Sequence, residues 1–423
     1  MNKKISLGIA ITVIILAVAL TLSATMVLSM RYFSSLVSNV GQREAMYDYI
    51  DEIDASARQY YTIDEEKLRT ALAEGYVGGL GDVYAEYLSA EEFQAVQSTL
   101  AGNRTGFGIQ VTLSRDNQLV ISSVDVNSPA ALSGIEKGDI LLAIDGEELT
   151  GALYSTVQSK LNSSEKIVLS VSHSGLQSAV ELTANTYTNV SVESRIISDN
   201  VGYIGISDFN NLTPLQFKNA YNELTQNGAA YFIFDVRNNR GGSLDAVKEI
   251  LDYLLPRGPY AVCEEKNVKE TFTAEDSYEI TGASATLING RTAGEAELFA
   301  AALQDRSKTK LVGTSTEGKA VVQNYYSIDS DKAAVRLTVG KLSLMQSGKT
   351  WADTGLYPDA MVDLSYETLL YFDLLADSED AQLQKAISLV RENTQLSMGD
   401  EENLKAPTTT TAATSASATT TTK

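Results

Sequence analysis

The chain has 423 residues, more than one ordinary domain holds, so two or three domains are expected. Its 33 Lys and Arg against 54 Asp and Glu give a formal net charge of −21, and no basic stretch is dense enough to follow phosphates, which excludes nucleic acid as a partner. With a single cysteine, Cys263, and a single histidine, His173, an internal disulfide and a Cys/His metal site are excluded.

A Ser/His/Asp triad would have to use His173, which lies in "SVSHSGLQ" and reads as a strand or hairpin residue. A hydrolase built on this chain therefore takes its base from another residue type. From the N-terminus, Lys3 and Lys4 precede "ISLGIAITVIILAVALTLSATMVLSM", which carries no charge until Arg31. That run is long enough to span a bilayer. A secretory signal has a shorter apolar core and a small-x-small cleavage site. Residues 1–30 thus read as an uncleaved single-pass anchor in the cell membrane, lysines in the cytoplasm and the bulk of the chain extracytoplasmic.

Residues 41–100 read as a helical segment. "REAMYDYIDEIDASARQYY" and "DEEKLRTALAEGYVGGL" repeat apolar positions at helical spacing, with Asp64 as the N-cap of the second. The tyrosines there read as packing residues rather than a ligand cage. Residues 101–187 turn β-rich, with "GFGIQVTL", "QLVISSVDV" and "KIVLSVSH" as strands and short helices near "SPAALSG" and "LYSTVQSKL". Residues 188–376 alternate strands and helices, "VGYIGISDF", "TPLQFKNAYNELTQNG" and "AAYFIFDVR" in turn, as a layered α/β core does. Residues 377–400 read as a C-terminal helix. The Thr-rich tail, 404–423, has too little apolar side chain to join a core and reads as disordered. The fold class is α+β multidomain.

Three motifs carry chemistry. The loop Gly106-Phe107-Gly108-Ile109 ahead of a strand exposes successive backbone N–H groups, the kind of nest that takes a carboxylate. A plain β-turn gives the same four letters. In "FIFDVRNNRGGSLDAVKEI", Gly241-Gly242 stand at a helix N-terminus and offer amides to an anion, as an oxyanion hole requires, or simply supply the flexible start of a helix. In "TSTEGKAVVQNYYSI", Lys319 and Gln323 share one face of a strand. A lysine turned inward loses solvent and its pKa falls, which suits a general base, although most strand lysines are solvated.

With "SPAALSGIEKGDILLAIDG", the GFGI loop resembles a PDZ domain, which implies binding of peptide or protein C-termini near Phe107, Gly108 and Ile109. The order of that domain, "GYIGISDF", "DVRNNRGG", "TAGEAELFAAALQD", "GTSTEGKAVVQ" and "DTGLYPD" resembles the carboxy-terminal processing peptidases, or tail-specific proteases, over residues 80–363. The resemblance implies a serine nucleophile, a lysine base held by a glutamine, and backbone amides binding the oxyanion. It places the base on Lys319, its partner on Gln323, and one oxyanion amide on Gly241 or Gly242. It implies no metal or organic cofactor, and a possible homodimer through the helical flanks.

Aligned without gaps, the nucleophile falls on Gly294, and the spacing to Lys319 agrees with the family's. Glycine has no side chain to attack with. Glu295, whose amide would be the second oxyanion donor, replaces a small residue. Arg240 replaces a proline and Glu317 an aromatic residue. Thr292, two residues upstream, would serve only if the turn were rebuilt. Two readings follow: a membrane-anchored serine-type endopeptidase with an unexpected nucleophile, or a pseudopeptidase that binds peptides or regulates.

Overall fold

The computed structural model describes residues 7–266, 268–275, 282–307, 309–328 and 330–404. The segment 405–423, which holds nearly all of the expected disordered tail, lies outside the described residues, and Leu404 still belongs to a helix. The chain divides into two compact units, residues 1–76 and 77–423.

The first unit is helical. One helix runs Leu7–Ala57, because no proline interrupts the sequence between the apolar run and the tyrosine-rich stretch. The expected anchor and the first flanking helix are thus continuous. Within it Thr12–Tyr32, 21 residues of mean hydropathy 2.4, is long and apolar enough to cross a membrane. Arg58 closes the end of this helix, donating to Asp54 at 2.6 Å and to Glu65 at 2.7 Å. Asp64 caps the next helix, Glu65–Gly78, by accepting from the Lys67 amide at 3.2 Å. The expectation that the tyrosines pack does not hold inside this unit: Tyr47, Tyr49, Tyr60 and Tyr61 are exposed. A single layer of helix offers nothing to cover them.

The second unit contains both β-rich regions. Its core is a six-stranded sheet in the order Val192–Ser198, Val201–Ile206, Tyr231–Asp235, Ser284–Ile288, Lys310–Gly313, Ala360–Met361. The first pair is antiparallel and the rest are parallel. The central strands Val201–Ile206, Tyr231–Asp235 and Ser284–Ile288 are buried on both faces and read as nearly unbroken apolar runs, as central parallel strands do. Helices Thr213–Gln226, Leu244–Leu254 and Glu295–Ser307 share the cluster around Phe217, Phe234 and Phe299. Leu383, Ala386, Ile387 and Val390, from the helix Ala381–Leu404, join a second cluster with Ile233, Leu287 and Val312. Because side chains alternate along a strand, the sheet is sandwiched between helical layers.

An antiparallel sheet flanks this core, built on the long strand Ala333–Leu344, which pairs with Glu86–Leu88, Gly258–Glu265 and Val321–Ile328. The strand Glu86–Leu88 corrects the all-helical reading of residues 41–100. Three residues are too short to show a period, and the Arg336–Glu86 ion pair at 2.6 Å fixes them from across the sheet. The hairpin Gly258–Glu265 with Val268–Ala274 also escaped the sequence reading.

The PDZ-like region is a six-stranded antiparallel sheet around Ile121, Ile144, Leu169 and Val157, with the helix Tyr154–Ser163 beside strand Ile109–Leu113. Arg104 joins it to the core. It donates to Asp125 at 3.3 Å within the region and to Asp208 at 2.9 Å at the end of a core strand.

Candidate active site

The site forms where three turns of the parallel core meet. The first follows Ser284–Ile288. Thr292 N–H bonds Asn289 O at 2.9 Å, and Ala293 N–H bonds Asn239 O at 3.0 Å, so the chain reverses sharply into the buried helix Glu295–Ser307. Gly294 sits at the corner with φ +59°, in the left-handed region. A Cβ placed on it would meet Arg240 O at 3.6 Å and Lys319 Cδ at 3.8 Å, ordinary contact distances. Any side chain at 294 would therefore face Lys319.

Glu297 holds the corner to the lysine segment. It is fully buried at the third helical position, where a carboxylate can reach back to the N-cap amide. Its Oε2 accepts from Gly294 N at 3.0 Å and Lys319 N at 2.8 Å. Its Oε1 accepts from Gly318 N at 2.8 Å and from the Thr316 hydroxyl. Burial raises its pKa above the usual range, against the pull of these four donors. Sequence reading passed over Glu297, although the Gly-x-x-Glu spacing at a helix start was a usable signal.

Lys319 is half-buried, with Nζ 5.4 Å from the centre of the Tyr84 ring. Burial lowers its pKa; Glu295 and Glu317 pull it back up, while Arg336 and Arg240 add to the lowering. Among the described residues no carboxylate lies within ion-pair distance of its ammonium. Lys319 lies ahead of the strand Val321–Ile328, whose register shifts between Val322 and Gln323, so the expected shared strand face does not form; Gln323 donates instead to Tyr84 O at 2.7 Å, fastening residues 82–88 beneath the lysine. It makes no described hydrogen bond to Lys319.

The glycine pair divides its roles. Gly241 N–H points inward to Asn239 Oδ1 at 2.9 Å, and Gly241 O accepts from Phe209 N at 3.1 Å. Gly242 N–H alone faces the site. Glycine is needed at both: Gly241 has φ +98°, in the left-handed region, and an added Cβ at Gly242 would lie 2.1 Å from Phe209 O.

The Gly242 amide is not open. Its N–H donates to Glu295 Oε2 at 3.0 Å, and the Glu295 carboxylate bonds its own backbone amide as well. Both amides assigned to an oxyanion hole thus converge on one internal carboxylate. Burial raises the Glu295 pKa, and the two amides, Lys319 and Arg336 hold it down in part. At the mouth, Arg240 Nη2 meets Glu317 Oε2 at 3.2 Å, so these two departures from the family pattern form one ion pair. Thr292 is fully buried, and its hydroxyl donates to Val236 O at 2.8 Å. It does not face the site.

The GFGI loop lies elsewhere, lining a cavity of about 280 Å³ with Arg104, Gln158, Leu161 and Tyr187. Phe107 is buried, and Gly106 and Gly108 have φ of 147° and 75°. Gln158 donates to Val111 O at 2.9 Å, on the strand edge where a peptide would pair.

Residues 200–362 match the model of peptidase family S41, and residues 97–172 that of the PDZ domain. The carboxy-terminal processing protease CtpA of Bacillus subtilis is 28% identical over 320 residues, 74% of this chain and 68% of that protein. The chloroplastic carboxyl-terminal-processing peptidase 1 of Arabidopsis thaliana is 30% identical over 307 residues, 69% of this chain and 61% of that protein. A solved structure from Bacteroides fragilis, described as an S41 protease, has the same fold with a TM-score of 0.58 at 19% identity, over 75% of this chain and 90% of that one.

Proposed function

Because this chain belongs to peptidase family S41, among the PDZ-bearing carboxy-terminal processing proteins, we propose that it is a membrane-anchored, extracytoplasmic peptide binder whose serine-type site has lost its nucleophile at Gly294. The PDZ loop, Gly106, Phe107, Gly108 and Ile109, takes the C-termini of peptides or unfolded proteins. Lys319 stands in the place of the base, and the amides of Gly242 and Glu295 in that of the oxyanion donors.

One observation carries this reading. The Cβ position of Gly294 lies 3.8 Å from Lys319 Cδ within the frame that Glu297 maintains, which supports reading 294 as a nucleophile position that has no side chain. Thr292 and its committed hydroxyl supply no substitute. Glu295 adds a second block, since an anionic carboxylate on the amides opposes a developing oxyanion there.

The test offers the full chain, in detergent, an unstructured protein with an apolar C-terminus. The wild-type chain leaves it intact. Gly294→Ser with Glu295→Ala cleaves it, with a rate at least roughly a thousandfold above wild type, since loss of a serine nucleophile typically costs more than that. Wild-type cleavage that disappears in Lys319→Ala overturns the proposal and returns the chain to the active endopeptidases of its family.

A further inference from the structure

The substitutions that silence the site also rebuild it. Gly242 N–H donates to the Glu295 carboxylate at 3.0 Å, and the Glu295 backbone amide, from a different turn, helps hold the same carboxylate. A peptide carbonyl would present these donors with one neutral oxygen. Here they hold a carboxyl group with two oxygens, contributed by Glu295 from within the chain. Beside it Gly294 leaves room for a Cβ, whose nearest neighbours outside Ala293 and Glu295 would be Arg240 O at 3.6 Å and Lys319 Cδ at 3.8 Å. Lys319 borders that volume, with no carboxylate within ion-pair distance among the described residues. Arg240 adds a second cation at the mouth, paired among the described residues with the partly exposed Glu317.

We propose that this pocket is a receptor for a peptide α-carboxylate, separate from the PDZ loop, and that the Glu295 side chain is its internal competitor. An incoming carboxylate displaces the Glu295 carboxylate, takes the two amide N–H groups, and gains the Lys319 ammonium, which the Glu295 side chain does not reach. The terminal carboxylate has two oxygens to share among these donors, where an amidated end has one carbonyl oxygen and adds an N–H that finds no acceptor. The selectivity is therefore for free C-termini over blocked or internal peptide bonds. The inference rests on the reading of Gly294 as an empty nucleophile position, because a serine there would fill the space the second oxygen needs.

The experiment uses the full chain in detergent and two fluorescent forms of one unstructured peptide with an apolar end, a free acid and a carboxamide, with anisotropy as the readout. Glu295→Ala removes the competitor without touching the PDZ loop, so any change it causes belongs to this pocket. Affinity for the free acid rises at least about tenfold, and affinity for the carboxamide stays within about twofold, a tenfold change being about 1.4 kcal/mol. Adding Lys319→Met to Glu295→Ala abolishes the gain. Glu295→Gln, which keeps the shape and a single acceptor oxygen, gives a smaller gain and guards against misfolding of the alanine variant. Equal gains for both peptides, or none in either variant, overturn the receptor. Mass spectrometry of the same samples keeps the two proposals apart: shortened wild-type product sinks the silent-site reading, whereas intact peptide with no carboxylate-dependent gain sinks only the receptor.

Discussion

At the scale of single residues, the outcome turns on three side chains and one missing one. Lys319 has its pKa lowered by burial, in the combined field of Glu295, Glu317, Arg240, Arg336 and the nearby Tyr84. A lysine with a depressed folded-state pKa supports the fold when neutral, above its ordinary 10.5, and loses that support as pH falls through its folded value. Lys319→Met is therefore expected to raise the melting temperature at pH 7, with the gain shrinking as pH approaches 10.5; an equal gain at both would mean the ammonium is well solvated. Glu297 works in the other direction. Glu297→Gln leaves two of its four donors facing an amide NH2, and an unsatisfied buried donor costs about 1–3 kcal/mol. A loss of about 2 kcal/mol or more in urea unfolding is expected, with loss of carboxylate-dependent peptide binding as the turn and lysine segment separate. Lys319, Gly294 and the glycine pair were legible from the order of motifs. Which glycine faces the site was not, because it depends on Asn239, whose side-chain Oδ1 turns the Gly241 N–H inward. Nor was the position of the Glu295 carboxylate, since the sequence showed a charge beside the site but not the rotation that puts it on Gly242.

At the scale of elements, the parallel strands and their helices announced themselves through apolar runs and glycine-marked turns. The elements that escaped were Glu86–Leu88 and the hairpin from Gly258 to Ala274, whose register is set by the long strand Ala333–Leu344 rather than by any local pattern. Their place matters. The segment ahead of Glu86 supplies Tyr84, whose carbonyl receives Gln323 and whose ring lies under Lys319, while Asp82 accepts from Thr338 N at 3.1 Å. Gln323 thus builds the floor of the site instead of gripping the lysine. In the PDZ region, Gly108 has φ 75° and an added Cβ would lie 2.0 Å from Ser128 Cβ. Gly108→Ala is expected to weaken binding of a free-acid peptide by at least about tenfold, since overpacking of this kind costs about 1–3 kcal/mol. Far-UV circular dichroism should stay near wild type. Undiminished binding would move the PDZ contact away from this loop.

At the scale of the molecule, residues 77–423 form one unit in which Arg104 ties the PDZ sheet to the peptidase core through Asp208, next in sequence to Phe209, which bridges to Gly242. The GFGI-bearing region and the Gly241-Gly242 turn are thus linked through a short chain of contacts. The other unit holds the apolar span Thr12–Tyr32 in a helix that continues to Ala57. If that span is retained as an anchor, the chain stays with the membrane pellet after an alkaline carbonate wash, and removal of residues 1–31 releases it to the supernatant. A native chain that is soluble and starts beyond Met30 would identify the span as a cleaved signal. Sequence made the span plain, and the absence of proline up to Ala57 was the signal, unused in dividing the chain at residue 30, that the helix runs on unbroken.

The left-handed corner at Gly294 also bears on how such a site changes over time. A residue with a Cβ is disfavoured in that conformation by about 1–2 kcal/mol, a strain glycine does not carry. Trading serine for glycine there would have cost the reaction while making the fold more robust, and the two codons can differ by a single base. Return is equally short in mutational distance, yet each reverting variant would meet a stability penalty first and, with Glu295 still on the amides, no activity to set against it. On the proposed reading, the corner would act as a ratchet: one step would lead out of catalysis, and the way back would require two changes, the first of them unrewarded.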